Sequence, residues 1–473
     1  TSVAEQGTVT GEVPLTPVQA RFFALEPADP HHYNQAMLLE VDTSLDPEVL
    51  QRALAGLQAH HDALRLRFKR TELGWQQAIV PLESHNGISL EVFRGPVTEE
   101  RATALQASLN LEKGPLLRAA LFTDQNEVPV RLLLVIHHLL VDGVSWSVLL
   151  EDLQTIYEQI ESGKRPQPPA KTTSFKSWAE QLAAHARTEA LLAEAPYWVS
   201  LSDAAVARLP VDFRTGPNNS ASARTVTRSL DPRETMALLM EVPAAYRTQI
   251  NETLLTALAQ TLSQWTNSSA ILLDLEGHGR EEIFPGADLS RTVGWFTTIF
   301  PVLLDLKKSQ GLGESLRLVK EQLRAIPQRG IGYGLLRFLS GKKEIVEALG
   351  RQSPAEVRFN YLGQTDRVLS QASLFKPCAE ATGPAQTPAA QRGYLLNIIG
   401  AVTDGELRLE WTYSENIHRR DTIEQLAETY LMHLRTLISN ARAADATSIS
   451  PTDFPRARLN QTELNKVLKK LGR

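Results

Sequence analysis

Apolar positions recur along this chain with two periods, and their alternation predicts interleaved helices and strands. Thr16-Pro17 marks a helix start, with Thr as a cap and Pro at the first helical position. A strand-like run from Ala36 closes at Val41, and Asp46-Pro47 opens a helix with Leu50, Leu54 and Leu57 on one face. Leu64 to Phe68 alternates apolar and basic residues and predicts a strand. The apolar run from Arg131 to Ile136 predicts a strand buried on both faces. Val148, Leu149, Leu153, Ile156 and Tyr157 then recur at helical spacing.

Two breaks interrupt the pattern. Ser162 to Thr173 holds three prolines and three basic residues, and Arg214 to Ala223 contains Gly216-Pro217-Asn218-Asn219; both predict surface connections. Beyond them come a helix through Leu254, Leu258, Leu262 and Trp265, and a strand from Ala270 to Leu275. A second strand carries Leu407, Leu409, Trp411 and Tyr413, and a late helix carries Ile423, Leu426, Tyr430, Leu434 and Leu437. The class is therefore α/β (α+β), in two lobes. We place a linker at 1–13, one lobe at 14–172, a second at 173–455, and a tail at 456–473. In that tail Leu464, Val467, Leu468 and Leu471 sketch a short helix from Leu459 to Leu471, either a linker or a docking segment.

Composition narrows the function. The 473 residues carry a formal net charge of -5, which argues against a nucleic-acid footprint. No apolar run approaches the ~18 residues that span a bilayer. Thr1 to Glu12 lacks the basic and apolar regions of a signal peptide, so a cytoplasmic setting is expected. Cys378 is the single cysteine, in a loop-like run from Phe375 to Ala379, which excludes a disulfide framework.

The chemistry concentrates in His137-His138-Leu139-Leu140-Val141-Asp142-Gly143, where an apolar strand ends in two histidines. Imidazole titrates near neutrality and suits proton transfer. A His pair alone is more often structural than catalytic; the Asp-Gly that follows tips the balance toward function. Gly143 would allow a tight turn into the next helix.

This heptad resembles the HHxxxDG signature of the condensation superfamily of nonribosomal peptide synthetases, which shares the chloramphenicol acetyltransferase fold. The resemblance makes His138 the catalytic residue, His137 its support, and Asp142 half of a structural ion pair. His60-His61-Asp62-Ala63-Leu64-Arg65 resembles a second family motif, which would make Arg65 the partner of Asp142. Leu275-Glu276-Gly277-His278-Gly279-Arg280-Glu281 is similar to the EGHGRE motif of epimerization domains, which bond-forming relatives lack. Ser290 to Thr297, including Trp295 and Phe296, also fits the epimerizing pattern, as do Ile331 to Leu335 and Arg358 to Gly363.

An epimerization domain would invert the α-carbon of an aminoacyl or peptidyl thioester on the phosphopantetheine arm of a carrier protein. It would need no cofactor or metal of its own. An upstream carrier and a downstream condensation domain would be its partners, and the isolated domain would be monomeric. Inversion removes a proton from one face and returns one to the other, so Glu276 is expected opposite His138 across a tunnel or cleft between the lobes. Asn360, Tyr333 and backbone N–H groups after His138 are candidates to stabilise the enolate oxygen; Trp295 and Phe296 are candidate tunnel-wall residues. Arg280 and Glu281 read more readily as an ion pair than as substrate contacts. The alternatives are a condensation domain forming a peptide bond and a module that only docks carriers.

Overall fold

The structure, a computed structural model, describes residues 4–84, 87–201, 206–364, 374–378, 380–443, 451–453, 463 and 466. The first part of the chain forms strands β1 (Gly11–Val13), β2 (Asn34–Val41), β3 (Leu66–Thr71), β4 (Gly74–Ile79), β5 (Leu90–Arg94), β6 (Leu117–Thr123) and β7 (Pro129–His137). The remainder forms β8 (Ala223–Leu230), β9 (Ala270–Gly277), β10 (Thr298–Asp305), β11 (Val357–Gln364), β12 (Phe375–Pro377), β13 (Leu396–Thr403) and β14 (Glu406–Ser414). One sheet has the order β12-β2-β7-β6-β5, a second the order β10-β9-β11-β13-β14-β8, and β1-β4-β3 form a small third. Each large sheet anchors one lobe.

β7 lies at the centre of the first sheet because its sequence suits that position. Leu132 to Ile136 are at most 3% exposed, and burying each such side chain stabilises by roughly 1.5–3 kcal/mol. Helices Pro47–His60 and Gly143–Glu161 pack against each other in this lobe. Asp46 caps the former by accepting the N–H groups of Glu48 and Val49 at 2.7 and 3.3 Å.

The second sheet separates its faces by strand alternation. Leu273 and Phe359 are buried, as are Leu407, Leu409 and Trp411, and helices Ile250–Thr266 and Arg420–Arg442 belong to the same lobe. β11 runs parallel to β9 with Arg358 opposite Asp274 and Phe359 opposite Leu275. Asp274 and Glu276 of β9 therefore share the other face with Arg358 and Asn360 of β11.

Three short-range expectations change. Asp62–Arg65 is a 3₁₀ turn, so the strand expected from Leu64 starts at Leu66; the buried Arg65 side chain fixes that turn through Asp62. Gly11–Val13, read as linker, pairs with β4, and Val9 and Val13 are buried. Phe375–Pro377, read as loop, adds to the edge of β2, and the Cys378 N–H donates to Leu38 O at 2.8 Å. Three-residue strands are too short to show a period, which is why neither was legible. The helix sketched from Leu459 to Leu471 lies largely outside the described residues.

The β12 segment continues across the first lobe. Asn34 N–H donates to Ala385 O at 2.9 Å, and the Gln106 amide donates to Thr382 O at 3.0 Å. A strap from the later chain thus ties the two lobes together beside the end of β7.

Candidate active site

The turn after β7 positions both histidines. His137 is fully buried; its Nε2–H donates to Pro30 O at 2.9 Å and its Nδ1 accepts the Leu139 N–H at 3.2 Å. Burial draws its pKa down to about 3. Both nitrogens are committed, so His137 supports the turn and has nothing to offer a substrate.

His138 is arranged differently. Its Nδ1 lies 2.8 Å from Val141 O; a carbonyl only accepts, so Nδ1 carries the proton. Nε2 is left with its lone pair, 3.1 Å from the Gln35 amide nitrogen. The ring lies between Tyr33, stacked at 5.2 Å and 9°, and Trp295 at 4.4 Å. Burial lowers the His138 pKa, opposed by the backbone hydrogen bonds and by the charges of Glu276 and Asp142. This is a neutral, oriented base.

Asp142 starts helix Gly143–Glu161 as its cap, accepting the Ser145 N–H and hydroxyl, both at 2.8 Å. The partner expected for it, Arg65, is elsewhere. Arg65 pairs with Asp62, and its guanidinium donates to Val80 O at 2.6 Å and Val9 O at 3.0 Å, holding the N-terminal segment to the first lobe. Asp142 instead pairs with Arg280 Nη2 at 3.0 Å and accepts the Phe296 N–H at 3.2 Å. The Arg280 Nη1 donates to Leu289 O and Thr292 O, and its guanidinium lies 4.0 Å above the Phe296 ring. Asp142 and Arg280 therefore join the turn after β7 to the loop after β9. The resemblance of His60–Arg65 to a family motif suggested Arg65; only the lobe junction reveals Arg280.

The expected Arg280–Glu281 pair does not form, because the two side chains diverge. Glu281 lies 3.4 Å from both His278 and Arg329. Gly279 shapes this loop: at φ +69°, a Cβ there would sit 1.7 Å from Phe296 O. Gly143 needs no such freedom. It is the first residue of its helix with a negative φ and open space where a Cβ would stand.

Glu276 sits on the open face of β9, opposite Ile299 of β10, and Arg358 Nε lies 3.8 Å from its carboxylate. Arg358 also donates to Asn397 Oδ1 at 2.7 Å. Beside them Tyr394 donates to Asp274 at 2.6 Å and accepts from Arg21 at 2.8 Å. Extending the β9–β11 register by one residue puts Asn360 beside Glu276, and its side chain makes no hydrogen bond among the described residues.

Tyr333 packs on Trp198 at 5.4 Å, and burial raises its pKa to about 12. No hydrogen bond or ring contact links it to His138 or Glu276 among the described residues. Trp295 contacts His138, whereas Phe296 faces Phe175 and Trp178. The Leu139 N–H, first of the backbone donors after His138, is spent on His137.

Gln35, Tyr33, Arg358, Asp274, Tyr394 and Arg21 did not stand out in the sequence as site residues. The period-two spacing of Asp274 with Glu276, and of Arg358 with Asn360, was a usable signal for the shared face. Gln35 gave none.

His60, His61 and Asp152 place three ligand atoms within 4.8 Å of one another. Asp152 has both oxygens engaged, one by His61 at 2.8 Å and one by Arg291 at 2.6 Å. The trio is thus a hydrogen-bonded cluster of the first lobe, which Arg291 ties to the second. No helix among the described residues is long and apolar enough to cross a membrane.

Two lobes, joined through an HHxxxDG turn that faces an acidic strand end, define a chloramphenicol acetyltransferase-like protein of mixed α/β class. The condensation domain family model matches residues 9–459. A linear gramicidin synthase protein of Brevibacillus parabrevis is 47% identical over 474 residues, covering 98% of this chain and 6% of that protein. Chondramide synthase cmdD of Chondromyces crocatus is 44% identical, over 99% of this chain and 12% of that protein. The chain thus spans a small part of the curated relatives it matches. The solved epimerization domain from the third module of tyrocidine synthetase B is similar at a TM-score of 0.85 and 37% identity, covering 93% of this chain and 99% of that one. The chain belongs to the condensation domain family.

Proposed function

We propose that the chain is an epimerization domain of a nonribosomal peptide synthetase, interconverting L and D configuration at the α-carbon of an aminoacyl or peptidyl thioester. The observation that carries this reading is one unprotonated imidazole nitrogen in the first lobe, His138 Nε2, partnered only by the Gln35 amide among the described residues, and one carboxylate, Glu276, on the second lobe's β9. The Asp142–Arg280 pair, which links the HHxxxDG turn to the EGHGRE loop, supports it. So does the 37% identity to a solved epimerization domain.

In this reaction one group takes the α-proton: the C–H bond breaks, an N–H or O–H bond forms, and the electron pair passes into the thioester enolate. The other group returns a proton to the opposite face. Positioned proton transfer supplies about 10²–10⁴-fold. An oxyanion donor contributes roughly 3–4 kcal/mol more, and Asn360, beside Glu276 and with no other side-chain partner among the described residues, is best placed for it. Arg358 holds Glu276 in position. The substrate arrives on the phosphopantetheine arm of an upstream carrier and leaves toward a downstream condensation domain, and the domain works as a monomer without a cofactor or metal of its own. The two lobes, 14–172 and 173–455, each bring one proton-transfer group.

Incubation with a loaded carrier in deuterated buffer tests this. An epimerization domain incorporates deuterium at the α-carbon and yields both stereoisomers without a second substrate. A condensation domain forms product only when an acceptor is added, and a docking module does neither.

A further inference from the structure

His138 is held by more than its own turn. Trp146, the fourth residue of helix Gly143–Glu161, directs its indole N–H at Gln35 Oε1 at 2.7 Å. An indole only donates, so this bond fixes which end of the Gln35 amide is which. The NH₂ end must therefore face His138 Nε2, at 3.1 Å. An NH₂ group only donates, so Nε2 must accept and cannot carry a proton in this arrangement. The Nδ1–H bond to Val141 O requires the same tautomer from the other side of the ring. Trp146 is 5% exposed, which keeps water from competing for Gln35.

On the reading that this is the proton-transfer site of an epimerization domain, we infer that Gln35 is a positioning residue for His138, locked by Trp146 so that it keeps Nε2 unprotonated at rest and expels the proton once it has been taken. When the α-proton moves to Nε2, the new N–H and the Gln35 NH₂ confront each other as two donors. Gln35 cannot turn its oxygen inward without facing its NH₂ toward the Trp146 N–H. The imidazolium is thus destabilised and its proton readily returned. Glu276 from β9 and Asp142 from the turn act in the opposite sense, favouring the charged ring. Arg358 beyond Glu276 offsets that carboxylate, and Tyr33 is kept in its neutral form by burial. His137, drawn down to about 3, adds no charge.

Three variants test this in the full chain. Gln35→Glu supplies a carboxylate that accepts from both Trp146 and a protonated Nε2, so the His138 titration midpoint should rise by about one pH unit or more. Trp146→Phe frees the Gln35 amide to flip, and the midpoint should rise by a smaller amount. Gln35→Met removes the donor while keeping the volume; kcat for epimerization should fall about tenfold with KM nearly unchanged. Imidazole nitrogen NMR of the free protein reads the midpoint and tautomer without any substrate, so it stands even if no epimerization is found; a protein that shows the shifts yet never epimerizes overturns the proposed function, not the lock. An unmoved His138 midpoint in both Gln35→Glu and Trp146→Phe would overturn the inference. So would equal losses of kcat in all three variants with no change in pH profile, the sign of a merely structural role. If Gln35→Glu does not fold, Trp146→Phe and Gln35→Met decide it.

Discussion

Replacing Asp142 by Ala should cost stability, and the structure indicates how much. The carboxylate is 7% exposed and satisfies four donors: the Ser145 N–H, the Ser145 hydroxyl, the Phe296 N–H and Arg280. Losing the helix cap costs about 1 kcal/mol. Stranding a buried ion-pair partner costs about 3–5 kcal/mol, and here the lower end applies because Arg280 keeps its bonds to Leu289 O and Thr292 O. The expected loss is about 4 kcal/mol, read by urea denaturation followed through tryptophan fluorescence. The partner can be identified by double-mutant cycles. Asp142→Ala with Arg280→Ala should be non-additive by about 1–3 kcal/mol, whereas Asp142→Ala with Arg65→Ala should add within about 0.5 kcal/mol. An additive Asp142–Arg280 cycle would refute the reasoning, as would a variant of wild-type stability that is nonetheless inactive.

Other outcomes follow from the same contacts. His138→Ala should fold normally and lose inversion of a carrier-bound substrate, measured by chiral analysis after thioester hydrolysis. Acidification should destabilise the fold through His137: its folded pKa of about 3 lies below the unfolded value, so the unfolded chain binds the extra proton as pH falls. Between about pH 7.5 and pH 5 that one group should remove about 2 kcal/mol, a slope that His137→Gln should flatten in denaturation curves. Removal of residues 459–473 should leave inversion intact, whereas truncation before Pro451 should lower stability by about 3 kcal/mol. The second cut removes Asp453, which pairs at 2.8 Å with the fully buried Lys320.

Long periodic segments were legible from residue pattern because burial acts on many positions at once. β7 and the helices after Asp46 and Asp142 fall where their apolar spacing put them. The HHxxxDG and EGHGRE motifs were legible as strings, each at a strand end. What could not be read was pairing across the lobes. Arg280 is 138 residues from Asp142, and nothing local distinguishes it from Arg65. The Gln35 contact is likewise tertiary, set by where β2 places a side chain opposite the turn after β7. β12 escaped because three residues ending in Pro carry no period.

If inversion uses two groups, one from each lobe, stereoisomer-resolved exchange will show it most directly. Carrier-bound L and D substrates are incubated separately in deuterated buffer with the wild type, His138→Ala and Glu276→Gln, then hydrolysed and analysed for chirality and deuterium. The wild type should exchange and invert both isomers. Each variant should fail to invert, and any exchange left should be confined to one isomer, the opposite one in the two variants. Inversion surviving in either variant, or exchange of both isomers by His138→Ala, would rule out the two-group mechanism.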